Sequence, residues 1–282
     1  MASAAEQLAS NFNFGMFRKA TELKNRIWFT LGVLIIYRFG TYIPLPGIDI
    51  DQLALLVDSN QSGILGMFDV FAGGAISRMA IFALGIMPYI SASIIIQLMT
   101  SVSPALANLK KEGEPGRKKI TQYTRYGTVI LALLQGYGIS VGLESAGQIV
   151  TDPGLFFRVS TTITLVGGTV FLMWLGEQIT SRGIGNGISL IIFSGIVAEI
   201  PSALINTLTL GRQGTISTLT LLFLFALVIA VVIFIIFMER AQRRLLVQYP
   251  KRQMGNKMMG GDTSHLPLKL NTAGVIPAIF AS

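Results

Sequence analysis

Apolar residues in this chain run in long blocks, not in the alternation of strands or the narrow stripes of soluble helices. About 20 helical residues cross the hydrocarbon core of a bilayer, so block length places the candidate spans. Six blocks qualify: Ile27–Ile43, Arg78–Met99, Tyr123–Leu143, Leu155–Gly176, Ile188–Leu208 and Ile216–Met238. A seventh apolar run starts near Thr272, and the sequence stops inside it at Ser282. A half-built span cannot satisfy its backbone in lipid, so a piece of a longer chain is expected. The pattern predicts an all-α polytopic membrane protein.

Several positions interrupt the blocks. Arg38 shortens and stresses the first span, and Pro44 and Pro46 end it. A polar loop with Asp49, Asp51 and Asp58 follows, then the half-apolar stretch GMFDVFAGGAISRM, residues 66–79. Within and just before it, Ile64, Met67, Phe68 and Phe71 have helical spacing and make one apolar face. Nine helical residues rise only about 13 Å, too little to span. Gly73 and Gly74 read as a flexible link, and Asp69 as a carboxylate that must stay solvated. The second block, AIFALGIMPYISASIIIQLM, carries Gly85 and Pro88 inside it and Ser91, Ser93 and Gln97 beyond. Two readings fit: ordinary interior packing, or a helix facing a water-filled path, since Gln97 is costly toward lipid.

Composition agrees with a membrane protein. The 282 residues are 51% hydrophobic and 13% charged, against about a quarter charged in soluble domains. The net charge of +8 sits between the apolar blocks and reads as loop topology, not as a nucleic-acid face. Arg18, Lys19, Lys24 and Arg26, the loop KKEGEPGRKK, Arg182 and ERAQRRLLVQYPKRQMGNK fall on one side; ESAGQIVTDPG, and GRQG with only Arg212, fall on the other. Basic short loops stay in the cytoplasm, which puts the N-terminus inside. Ile27–Tyr37 has signal-peptide length, but RFGTYIPLPG after it offers no small-residue cleavage site, so a retained helix is expected.

Candidate chemistry is sparse. There is no cysteine, and the one histidine, His265, lies in a polar loop and reads as a surface residue. SRGIGNGIS, residues 181–189, has the glycine spacing of a phosphate loop without the strand such a loop needs, so it reads as a tight turn. Glu177, Glu199 and Glu239 sit at span ends, where loops place charges anyway. No metal-spaced cluster or catalytic set lies in the spans, so no enzyme and no cofactor is expected. The long loop from Glu239 to Asn271 carries Arg240, Arg243, Arg244, Lys251, Arg252, Lys257 and Lys269. It reads either as a docking surface for an anionic partner, ribosomal RNA included, or as a topology signal.

Four stretches carry a resemblance: MFDVFAGGAISRMAIFALGIMPYISASIIIQL, KKEGEPGRKKITQYTRYGT, FLMWLGEQITSRGIGNGISLIIFSGIVA and SHLPLKLNTAGVIPAIFAS. They closely resemble the bacterial SecY family, central subunits of the Sec protein-conducting channel, from about Leu23 to Ser282. The resemblance implies ten spans in two halves of inverted topology, of which about six and a half are present. Residues 1–26 are then a cytoplasmic segment. Residues 27–208 are the first half, with a plug helix near 64–73 formed around Ile64, Met67, Phe68 and Phe71. Residues 209–282 begin the second half, with the basic cytoplasmic loop 239–271.

The resemblance also implies a pore ring of Ile86, Ile90, Ile188, Ile192 and Ile279, and a lateral gate involving Met87, Gln97, Gln135 and Val275. From spacing alone, isoleucine pairs at i, i+4 are lipid-facing or packing residues. Arg240, Arg243, Arg244, Lys251, Arg252 and Lys257 would form the partner-docking loop. Near its tip, where the family often has paired arginines, stand Asn256 and Lys257. The implied partners are SecE and SecG, the motor ATPase SecA, the ribosome, signal peptides, unfolded polypeptide substrates and the lipid bilayer. The implied function is a conduit that passes unfolded polypeptides across, or laterally into, the bacterial inner membrane. The competing expectation is a secondary transporter of a small solute, which predicts a charged or ion-coordinating cluster at mid-membrane; none is read in the six spans, apart from Arg38 near the end of the first.

Overall fold

The computed structural model describes residues 21–49, 52, 53, 69, 72–145, 149–248, 252–254, 257–259 and 263–270. Among them are seven helices: α1 (Thr21–Gly40), α2 (Met87–Val102), α3 (Pro104–Lys111), α4 (Glu114–Ser145), α5 (Leu155–Arg182), α6 (Gly187–Arg212) and α7 (Thr218–Arg240). The helices α4, α5, α6 and α7 are each long and apolar enough to cross a membrane, and the pair α2 and α3, bent by 98°, makes a fifth candidate. Helix α1 has the length but carries Glu22, Lys24, Arg26 and Arg38. The architecture is that of a multi-pass helical membrane protein. The chain divides into two compact units, residues 1–203 and 204–282, and the division falls inside α6.

In the first unit the second span departs from expectation. The block Arg78–Met99 does not form one helix: residues 73–86 run as successive turns and α2 starts only at Met87. The cause is local. Gly85 has φ +54° and Met79 φ +42°, neither of which a right-handed helix allows. Pro88 thereby falls in the first turn of α2, where its missing N–H deprives no carbonyl of a partner. At the other end, Ser103 is extended and Pro104 opens α3, so the chain turns sharply instead of continuing.

The turn segment is buried. Ala75 and Ala80 are 0% exposed, and Phe82, Ala83, Leu84 and Ile86 all lie in the core. Non-helical backbone at this depth must find its hydrogen bonds within protein. It does so along 43–45: Leu45 N–H donates to the Met79 carbonyl at 2.9 Å, and Ile81 N–H to the Ile43 carbonyl at 3.0 Å. The same strip then serves 149–151, with Asp49 N–H on the Ile149 carbonyl at 2.8 Å and Thr151 N–H on the Gly47 carbonyl at 3.1 Å.

Helices close on this segment through small residues. A Cβ on Gly168 of α5 would lie 2.1 Å from the Ile81 carbonyl oxygen, and one on Gly40 of α1 would lie 2.0 Å from the Phe82 ring. Phe82 then stacks between Tyr37 and Phe171, at 6.2 and 6.0 Å between ring centres. Helix α4 buries Thr124, Thr128, Ala132, Gly136 and Ser140, a small residue every fourth position, and Gly136 lies against Thr162 and Leu165 of α5. The buried hydroxyls return to their own helix, as Thr128 does to the Thr124 carbonyl at 2.8 Å and Thr169 to the Leu165 carbonyl at 3.1 Å. Two ion pairs tie α4 to α5: Arg125 grips both oxygens of Glu177 at 2.8 and 2.7 Å, and Arg158 pairs with Glu144.

In the second unit α7 is apolar around its whole circumference and buries no residue. Such a helix belongs in lipid or against other protein. Ser217 caps it by accepting from Thr220 N–H at 3.2 Å. The described residues of the basic loop after α7 form strands, which the sequence reading does not anticipate. The loop pairs β1 (Gln242–Gln248) with β4 (Thr263–Lys269), and β2 (Arg252–Met254) with β3 (Lys257–Met259), both antiparallel. Each sheet has two strands, so every strand is an edge, and Pro267 is tolerated opposite Arg244. The ribbon is closed at its base by Leu270 N–H on the Ala241 carbonyl at 3.2 Å.

The two adjacent glycines of α5 give a direct test of the packing. A Cβ on Gly168 would collide with backbone, whereas a Cβ on Gly167 would meet nothing within 4 Å. Gly168→Ala should destabilise the protein by about 1–3 kcal/mol, while Gly167→Ala should be neutral or slightly stabilising. Thermal unfolding in detergent, compared between the two variants, checks this expectation.

Candidate functional site

The stretch singled out in the sequence, residues 66–79, ends in a tight turn wedged between α1 and α6. Asp69 organises it. Its carboxylate accepts from Ile76 N–H at 2.9 Å and Ser77 N–H at 3.0 Å, and its carbonyl accepts from Gly74 N–H at 2.9 Å. Ser77 closes the loop by donating its hydroxyl to the Gly74 carbonyl at 3.0 Å. The carboxylate therefore bonds to backbone, where the sequence reading left it to solvent. Gly73 and Gly74 are not a loose link either. Both adopt positive φ, +67° and +76°, and both are buried. A Cβ on Gly73 would sit 3.0 Å from Gly195 Cα, and one on Gly74 2.8 Å from Glu199 Oε1. Glycine is required here for conformation and for clearance together.

A charged cluster faces this turn. Arg38 of α1 donates through Nη1 to the Gly73 carbonyl at 2.5 Å and through Nη2 to the Tyr42 hydroxyl at 3.2 Å. Its Nη2 also lies 3.8 Å from Glu199 Oε1 of α6. Tyr37, one residue earlier, donates its hydroxyl to the Ala72 carbonyl at 3.4 Å. The guanidinium carbons of Arg38 and Arg78 stand 5.1 and 4.4 Å from the centre of the Tyr42 ring. Arg78 Nη1 is buried and has no hydrogen-bond partner among the described residues. The sequence reading flagged Arg38 as out of place and missed Glu199, taking it for an ordinary span-end charge. The available signal was Arg38 itself, because a guanidinium in an apolar block demands an acceptor.

The structure gathers part of the isoleucine set. Ile86 is the residue before α2 and is 5% exposed, in one core with Val33, Tyr37, Phe82, Leu172, Leu175, Ile179 and Ile191. Ile90 follows one turn later, its N–H on the Ile86 carbonyl at 3.1 Å, and packs partly buried on that core with Ile188. Ile188 also fills the notch at Gly176, where a Cβ would lie 2.9 Å from its side chain. Ile192 is half-buried one turn beyond, while its neighbour Ile191, absent from the sequence reading, is 1% exposed. Ile279 lies outside the described residues, as do the plug positions Ile64, Met67, Phe68 and Phe71.

Of the gate positions, Met87, Gln97 and Gln135 are exposed, on α2 and α4, and Val275 lies outside the described residues. The two helices meet where Ala92 faces Gly127, and no hydrogen bond joins the glutamines. Of the docking positions, Arg240 ends α7, and Arg243 and Arg244 are exposed on β1 with Leu268 and Pro267 opposite. Arg252 and Lys257 fall on β2 and β3, and Lys251 is outside the described residues. Among the described residues no group of three or more His, Cys, Asp or Glu could hold a metal ion.

Residues 80–282 match the SecY family. The chain is 58% identical over 276 residues to the protein translocase subunit SecY of Rickettsia bellii strain RML369-C, covering 96% of this chain and 64% of that protein. It is 56% identical over 264 residues to the SecY subunit of Escherichia coli K12, covering 93% of this chain and 60% of that protein. It thus spans less than two thirds of the length of either relative. Among solved structures, a protein-conducting channel matches with TM-score 0.62 at 19% identity, over 92% of this chain and 56% of the other. Sec61 in a canine ribosome–channel complex matches with TM-score 0.56 at 18% identity, over 79% and 49%. The structural likenesses establish a common fold, and the sequence matches establish descent: this chain belongs to the SecY family.

Proposed function

We propose that this chain supplies the first half and the opening of the second half of a membrane channel that passes unfolded polypeptides across, or sideways into, the bacterial inner membrane. One observation carries the reading. The largely buried turns of 73–86 lead from Gly73–Gly74 to Ile86, with Ile90 one helical turn later, so the positions proposed for the plug and those proposed for the constriction are joined by one packed stretch of chain. Family membership and the fold shared with protein-conducting channels support the same conclusion.

The working parts follow from chemistry. A ring of Ile86, Ile90, Ile188, Ile192 and Ile279 excludes water when narrow and yields around a passing chain, because aliphatic side chains have no directional bonds to break. Residues 64–71 form the plug beneath it. The faces of α2 and α4 bearing Met87, Gln97 and Gln135 form one side of a lateral exit, closed by Val275. The N-terminus and the β ribbon are cytoplasmic, and the ribbon docks SecA or the ribosome, which supply the energy. SecE and SecG complete the membrane assembly. The Arg38–Glu199 cluster does not favour a solute transporter, because its guanidinium is already engaged by the Gly73 carbonyl and Tyr42.

Two outcomes are expected in the full-length channel. Ile90→Asn or Ile192→Asn should wet the constriction and raise resting ion conductance in planar bilayers, with assembly intact. Conductance equal to the unmodified channel in both variants would remove these residues from the pore. On the ribbon, Arg243→Glu with Arg244→Glu should weaken binding of ribosomes or SecA at least tenfold at low salt, with a smaller loss as ionic strength rises. Unchanged affinity for both partners would leave the ribbon a topology signal only.

A further inference from the structure

The Gly73–Gly74 turn immediately follows, in sequence, the segment assigned above to the plug. Its fastening is unusual. Neither helix packing nor Asp69 alone reaches the Gly73 carbonyl; that oxygen is held by Arg38 Nη1, across 35 residues of sequence, at 2.5 Å. Arg38 is in turn set by Tyr42 on its own helix and by Glu199 on α6. A planar guanidinium presents several donors in one fork, so it holds the Gly73 carbonyl and the Tyr42 hydroxyl at once while its charge lies near Glu199, which an ammonium does poorly.

Glu199 is placed for this task. Its Oε1 points at Arg38 and lies against the Gly74 backbone, where a Cβ would come within 2.8 Å. Its Oε2 lies 3.3 Å from the Ser202 hydroxyl, whose shorter bond, at 2.9 Å, goes to the Glu199 backbone carbonyl. Two guanidiniums, Arg38 and Arg78, share the Tyr42 ring, and the nearby Asp69 carboxylate is committed to Ile76 and Ser77 N–H. Glu199 is therefore the anion that balances this side of the turn.

We propose that Glu199 is a positioning residue of the closed channel: acting through Arg38, it latches the Gly73 carbonyl and fixes the point from which the plug departs. The proposal rests on the plug reading given above. Because α1 and α6 each supply one half, separating these helices breaks the Arg38–Glu199 pair and leaves the turn held from α1 alone, by Arg38 and Tyr37. The pair is suited to opening. At 3.8 Å it lacks a direct hydrogen bond, and its side chains are 26% and 30% exposed, so salt screens it.

The test uses resting conductance of the full-length channel with its partner subunits in planar bilayers, with deletion of residues 64–71 as the reference. Glu199→Gln keeps the shape and removes the charge; it should raise conductance about threefold. Arg38→Lys keeps the charge and removes the fork; it should raise it about tenfold, the loss of one charge-assisted hydrogen bond. Both should remain below the deletion. The ratio of Glu199→Gln to unmodified conductance should fall toward one as salt rises from about 0.05 M to about 1 M, a trend that mere repacking does not produce. The latch is overturned if the deletion leaks while Glu199→Gln does not. It is equally overturned if Glu199→Ala leaks and Glu199→Gln does not, since shape would then be the cause. If the deletion itself does not leak, the plug reading falls, and the latch with it. Should Arg38→Lys fail to accumulate, Glu199→Gln decides alone.

Discussion

Backbone hydrogen bonding inside a bilayer is the constraint on which this structure turns. A helix satisfies its own N–H and C=O groups; fourteen residues of turns, 73–86, do so only in part, through bonds such as Ala80 N–H on the Ala75 carbonyl and Gly85 N–H on the Phe82 carbonyl. They are possible here because residues 43–49 lie alongside and pair on one side with Met79 and Ile81 and on the other with Ile149 and Thr151. Everything else in the first unit makes room for that arrangement. Gly40 and Gly168 let α1 and α5 come down onto Phe82 and the Ile81 carbonyl, and Gly73 lets the preceding turn reach Gly195. Had the segment been helical, as block length alone suggests, none of these clearances would be needed.

The helical spans were legible because their signal is length. Helices α4, α5 and α6 contain the expected blocks and exceed them, since helices continue beyond the hydrocarbon core into polar residues such as Glu114 and Arg182, while α7 takes up the sixth block from Thr218. The turns at 78–86 are not legible in the sequence, because their composition is nearly as apolar as a span. Only Gly73, Gly74, Gly85 and Pro88 mark the break, and periodicity is blind to single φ values. The ribbon at β1 and β4 was hidden for another reason. Its strands are basic, exposed and only seven residues long, so neither burial nor alternation reveals them.

Site residues divide the same way. Ile86, Ile90 and Ile188 converge on one core because i, i+4 spacing survives even though Ile86 precedes its helix. Ile191 was overlooked because nothing in an apolar run distinguishes the residue that packs from its neighbour. Glu199 was overlooked because its partner Arg38 is 161 positions away, a pairing no local pattern encodes. The long separation is itself informative: charges that meet only through the tertiary fold report on how helices are assembled.

The ion pairs of this chain differ in kind, and the difference maps onto what can move. Arg125 and Glu177 meet through two short parallel bonds, the geometry that gives an arginine–carboxylate pair both strength and direction. With Arg158 and Glu144 near the opposite end of the same helix pair, α4 and α5 are fastened at two levels and packed through small residues between. Arg38 and Glu199 meet at 3.8 Å, without a direct bond, and share the guanidinium with a backbone carbonyl and a tyrosine. A contact of that kind holds a position without locking it. The first unit thus combines a doubly fastened helix pair with a turn whose tie to α6 is a single loose ion pair, next in sequence to the segment proposed above as a plug.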